Sequence, residues 1–253
     1  MKRKSIFCFL LFFPILVSAQ EVLRGELRVE LEPIFGAYID EVYPLDKEGA
    51  YRRALQEAAM FFSAQIYGWS FQYEVGERAR GIDEIFELEP LGEIRWGDPG
   101  LYVTDAHFVD REFRATSQLL AAFLSVWVDY RPTAEQHRRL QMWKMGNVRP
   151  AQAIGYSPLG GRSQVSAAQS ATQTATLSAT GSDWLSVKKD VLEDAARAAV
   201  RAMLQGSERN RPKEASGLIC LETFPTFFMD RGRWATQARF RVEIKEIVPF
   251  SVY

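Results

Sequence analysis

The stretch WATQARFRVEIK, from Trp234 to Lys245, constrains this chain more than any other. Trp234, Thr236, Ala238, Phe240, Val242 and Ile244 alternate with Ala235, Gln237, Arg239, Arg241, Glu243 and Lys245. A period of two over that length is a β-strand with one face apolar, and an apolar face needs a second layer packed on it. A candidate layer lies upstream in DWLSVKKDVLEDAARAAVRAMLQG. There Val187, Val191, Ala195, Ala199 and Ala202 share a helical face with Leu192 and Met203. Asp183 can cap this helix and Gly206 can end it. MDRGR at Met229–Arg233 predicts a hairpin turn in which Gly232 supplies a positive φ.

The same order of elements occurs earlier. Asp46 opens a helix in which Ala50, Ala54, Ala58, Phe62 and Ile66 recur every fourth residue, widened by Tyr51, Leu55 and Ala59. Gly68 stops it, and WSFQYEV follows as an alternating strand. Ahead of this helix, Leu27, Val29 and Leu31 alternate with Glu26, Arg28 and Glu30 as a half-buried strand. Residues 76–90 read as a loop with a short helix. GDPG at Gly97–Gly100 is a turn within a region that reads as sheet, and the apolar run up to Trp127 reads as a strand buried on both faces. Pro132 and Thr133 open a helix, TAEQHRRLQMWKM, closed by Gly146. SERNRPKEAS reads as a charged loop. The fold class expected is α+β: amphipathic helices packed on antiparallel sheet, in two related helix-plus-sheet units spanning roughly 46–130 and 183–248. An internal repeat would produce this rhyme, and so would any α+β chain.

Between the copies lies GYSPLGGRSQVSAAQSATQTATLSATGSD, Gly155 to Asp183. From Ser163 to Ser182 it is Ser, Thr, Gln and Ala with almost no large apolar side chain. Such a segment buries too little surface to offset its ordering entropy. The expected organisation is a signal peptide over 1–19, an α+β unit over 20–154, a flexible linker or loop over 155–182, and a second α+β unit over 183–253.

The signal peptide is read from MKRKSIFCFLLFFPILVSAQ. Lys2, Arg3 and Lys4 precede a short apolar run, and Val17-Ser18-Ala19 offers the small residues that cleavage needs. Removal of the three cations takes the net charge from −1 to −4, with both signs mixed along the chain and no basic stripe for nucleic acid. No later apolar run is long enough for a transmembrane helix. The expected location is the periplasm or cell envelope, with envelope or periplasmic proteins as partners. Cys220 is then the one cysteine left, so no internal disulfide forms, and its apolar surroundings predict burial.

KKDVLEDAARAAVRAML, followed by GLICLETF and the strand hairpin, resembles the small helix-plus-sheet modules of bacterial envelope lipoproteins and flagellar-ring assembly proteins. The resemblance implies a non-catalytic periplasmic interaction unit. Cys8 lies inside the apolar run, so the cysteine of the lipoprotein branch is lacking.

Motifs for chemistry are sparse. Gly155-Tyr156-Ser157-Pro158-Leu159-Gly160 approaches a nucleophile elbow but is one residue too long. Pro158 also lacks the N–H that an oxyanion hole would use. No catalytic residue, metal or cofactor is expected from any motif. Two weaker constellations remain. Asp105 and His107 share a strand face and form a polar cluster, the centre an exported hydrolase would need. Trp69, Trp96 and Tyr102 supply rings for an aromatic-lined ligand site. The leading expectation is an exported, non-enzymatic envelope protein acting through protein or envelope contacts. The hydrolase and the ligand-binding module are the alternatives.

Overall fold

A computed structural model describes residues 21–31, 44–76, 81, 83–113, 120–157, 184–207 and 212–249. Helix α1, Lys47–Ile66, forms where the four-residue recurrence places it. The Asp46 carboxylate accepts the Gly49 N–H at 2.7 Å, and Gly68 follows with φ +68°. That turn is crowded: a Cβ on Gly68 would meet the Ile219 carbonyl and Cys220. Burial reaches beyond the stripe of Ala50, Ala54, Ala58, Phe62 and Ile66, because Arg53, Glu57, Phe61 and Ala64 are buried too. A helix buried on most of its faces lies between layers rather than on top of one.

The layers are two antiparallel sheets. Strands β1 (Leu23–Glu30), β4 (Leu101–Phe113) and β5 (Leu120–Tyr130) form the first, in the order β1-β5-β4. The second joins β2 (Trp69–Glu74), β3 (Ile85–Pro90), β6 (Arg149–Tyr156), β7 (Pro212–Leu221) and β9 (Arg233–Pro249) in the order β3-β2-β7-β9-β6. Strand β8, Thr226–Asp230, adds to β9 through a turn in which Arg231 and Gly232 both have positive φ. Helix α1 packs on β1 and β5 of one sheet and on β7 of the other. Helix α3, Trp184–Ser207, covers β6 and β9. Helix α2, Ala134–Met145, starts at a capping box made by Thr133 and Gln136. Its Trp143 indole donates to the Ile66 carbonyl at 3.1 Å, tying α2 to the end of α1.

The expected α+β class is what forms: three helices and nine antiparallel strands among the described residues. Strand β5 is the doubly buried strand foreseen. Leu124, Val126, Val128 and Tyr130 enter the core. On its other face Ser125 donates to Glu26 at 2.6 Å, and Asp129 takes a two-pronged ion pair from Arg24 at 2.7 and 2.8 Å. The GDPG turn also forms, with the Asp98 side chain accepting the Gly100 N–H at 2.8 Å.

Three local readings need correction. Within 76–90, expected as a loop with a short helix, Ile85–Pro90 form strand β3; Phe86 and Leu88 alternate with exposed Ile85, Glu87 and Glu89, the period of an edge strand. Strand β7 begins at Pro212, inside the expected charged loop. Gly155 and Tyr156 end strand β6 and so do not start the linker; apart from them and Ser157, the stretch 155–182 lies outside the described residues. Strands from both sides of residues 155–182 share the larger sheet, with β7 and β9 lying between β2 and β6, so that boundary divides the chain but not the sheet. The expected leader, residues 1–19, also lies outside the described residues.

Candidate functional site

A cleft of about 450 Å³ opens between α1 and α3 beside the β2–β3 edge of the larger sheet. Its floor follows from element packing. Ala59 and Met60 come from α1, Leu192 from α3, Trp69 from β2 and Leu88 from β3. The register pairs Trp69 with Pro90 and Phe71 with Leu88, so β2 and β3 turn one apolar face to the helices. One wall is the segment after β3. The Ser63 hydroxyl donates to the Ala59 carbonyl at 2.6 Å and accepts the Ile94 N–H at 2.8 Å. The Leu91 N–H donates to the Gly68 carbonyl at 3.1 Å. Gly92 lies against the Tyr67 ring, where no Cβ would fit. This seam holds Trp96 at the mouth of the cleft, 51% exposed. Gln56, Glu93, Lys189 and Glu193 make the polar rim.

Trp69 and Trp96 therefore line one cleft, while Tyr102 does not join them. Tyr102 lies on β4, where the Arg131 guanidinium sits 5.2 Å above its ring and donates to its hydroxyl at 3.1 Å. Asp105 and His107 are exposed on the same strand, and neither lines the cleft. Among the described residues, no three His, Cys, Asp or Glu side chains gather to hold a metal ion. The convergence that a hydrolase centre at His107 requires is thus not seen in this strand's described surroundings. Ser157 follows β6 and is buried, its N–H donating to the Trp234 carbonyl at 2.8 Å. Cys220 is buried as expected, and burial pushes its thiol up to about 12, which leaves it protonated and inert.

Met60, Ser63, Glu93, Lys189 and Glu193 were not singled out by the sequence. Lys189 and Glu193 stand one helical turn apart, off the apolar stripe of α3, so their spacing was visible but their opposite wall was not. Glu193 reaches solvent, yet water lost to the surrounding protein, with repulsion from Asp190 second, raises its carboxyl above the ordinary range. Burial does the same to Asp190. Elsewhere the charges of α3 are matched. Lys188 pairs with the buried Glu57 of α1 at 2.5 Å, and its ammonium also lies 5.1 Å from the Phe227 ring. Arg201 grips Glu84. Burial alone would raise Glu84, but Arg201 and the Tyr73 hydroxyl outweigh it and hold the carboxyl below its ordinary range.

Family-model matches cover residues 12–182 and 162–250. The chain belongs to that family, one of uncharacterised proteins. An uncharacterised protein of Treponema pallidum (strain Nichols) is similar, with 21% identity over 202 residues, 79% of this chain and 71% of that protein. No solved structure matches. Among the described residues, no helix is long and apolar enough to cross a membrane.

Proposed function

We propose that this is an exported, non-enzymatic protein of the periplasm or cell envelope that works by binding, with the α1–α3 cleft as its contact surface. The observation that carries this reading is Trp96, held half-exposed at the mouth of an apolar-floored cleft by a hydrogen-bonded seam. A large ring at the edge of a pocket is the side chain that most often anchors a partner. The leader Met1–Ala19 supports export, and the likeness of KKDVLEDAARAAVRAML, GLICLETF and the strand hairpin to envelope modules supports a binding role.

Two measurements test it together. Mass spectrometry of the protein from fractionated cells is expected to find a chain beginning at Gln20 outside the cytoplasm. Recovery only as the uncleaved cytoplasmic chain overturns the export reading. A photo-crosslinking amino acid in place of Trp96 is expected to trap a discrete envelope partner, whereas the same group in place of His107 does not. Equal crosslinking at both positions overturns the cleft as the contact surface.

A further inference from the structure

Three charged side chains stand on the rim of the cleft: Glu93 after β3, and Lys189 and Glu193 on α3. None of them is in an ion pair among the described residues. Two carboxylates against one ammonium give the rim a negative balance, directly above an apolar floor and beside the Trp96 ring. Lost hydration and Asp190 outweigh the attraction of Arg197 and disfavour the charged form of Glu193. A bound cation would reverse that penalty.

The second observation is the strand beside the cleft. Strand β3 pairs with β2 alone among the described strands, so its other edge is free there. Alternate residues along such an edge direct N–H and C=O groups outward, which is a template for an extended peptide. Leu88 and Pro90 of this same strand line the cleft. A strand added to β3 would point alternate side chains to the face on which the cleft opens. The free edge favours a polypeptide over a small molecule, and the rim charge favours a basic one.

We infer that the cleft takes an extended peptide segment in which Lys or Arg stands two residues from an apolar residue, so that both side chains fall on one face of the added strand. The segment adds to the edge of β3, its apolar side chain enters the floor beside Met60 and Leu192, and its cation lies among Glu93, Glu193 and the face of Trp96. An acidic residue at that point meets two carboxylates and is rejected. This inference rests on the binding reading above and names the partner chemistry for it.

The test is fluorescence anisotropy with the whole protein from Gln20 and three labelled hexapeptides of sequence Leu-Ser-X-Ser-Leu-Ser, with lysine, serine or glutamate at X, so that leucine and X share one face. The lysine peptide is expected to bind tightest, with the glutamate peptide weaker by about ten-fold or more. Trp96→Ala is expected to weaken the lysine peptide about ten-fold. The double variant Glu93→Gln, Glu193→Gln is expected to erase the lysine-over-serine preference. These exposed positions leave the core untouched, and circular dichroism checks that each variant stays folded. N-methylation of alternate peptide residues is expected to abolish binding by removing edge donors. Equal affinity for the glutamate peptide, binding indifferent to these variants, or full binding by the methylated peptide overturns the inference. If a partner crosslinks at position 96 while no peptide binds, the basic-peptide inference falls and the binding function stands. If neither occurs, both fall.

Discussion

Gly155 shows how one residue can change meaning between sequence and structure. Its sequence context, GYSPLGG, suggests an active-site turn or the start of a linker. In the fold it lies on β6 against α3, where an added Cβ would collide with the Val191 carbonyl and the Ala195 backbone. It is a close-approach glycine, and the helix it touches is distant in sequence, so no local pattern could reveal it. Gly155→Ala is expected to cost about 3 kcal/mol, because backbone on both sides cannot give way; urea denaturation measures it. Cys220, by contrast, was legible, because an apolar neighbourhood on a strand predicts burial. Its thiol is raised by burial from an ordinary 9.0 to about 12. The unfolded chain therefore ionises first, so this contribution is full below about pH 9 and is lost as pH rises toward 12. Tyr73, raised from 10.0 to about 12 mainly by burial, adds the same sign. Cys220→Ala is expected to flatten the loss of stability in that alkaline window, as followed by thermal melts at stepped pH. A steeper loss would contradict the assignment.

Elements were most legible where local chemistry decides them. The Asp46 cap, the Thr133–Gln136 capping box and the helical recurrences all act within a few residues, and α1 and α2 start where those residues place them. The β8–β9 turn is another such case. Arg231 at φ 49° and Gly232 at φ 75° are both left-handed, the geometry of a two-residue hairpin turn. Gly232→Ala is expected to destabilise by about 1 kcal/mol, and Arg231→Asn to stabilise by roughly 0.5 kcal/mol, since asparagine tolerates that region better than arginine. Thermal denaturation should show the two shifts with opposite signs. Strands β3 and β6 were missed for the opposite reason. Each lies at an end of the larger sheet and meets solvent along much of its length, so its residues are mixed and its pairing partner supplies the order.

At the scale of the whole molecule, the larger sheet interleaves the chain. Strands β2 and β3 precede residues 155–182, β7 and β9 follow them, and β6 returns to the earlier side. Helix α3 packs on β6 as well as β9, and α1 on β7. The two halves thus complete one another's sheet. A protease site engineered between Ser163 and Ser182 should cut the chain without separating it, and the fragments should co-elute on size exclusion under native conditions. Either half produced alone should lack a cooperative melt. Independent folding of the halves, or their separation after cleavage, would contradict this. By itself the sequence determined the helices, the starting caps of α1 and α2, the strongest strands, the hairpin turn and the α+β class, because each depends on periodicity or on contacts a few residues long. Only the tertiary structure decided strand order, the placing of α1 between two sheets, and the meeting of Trp69 with Trp96, Glu93 and Glu193. Those pairings join residues far apart in the chain, and antiparallel strands that all alternate alike leave no local sign of which will be neighbours.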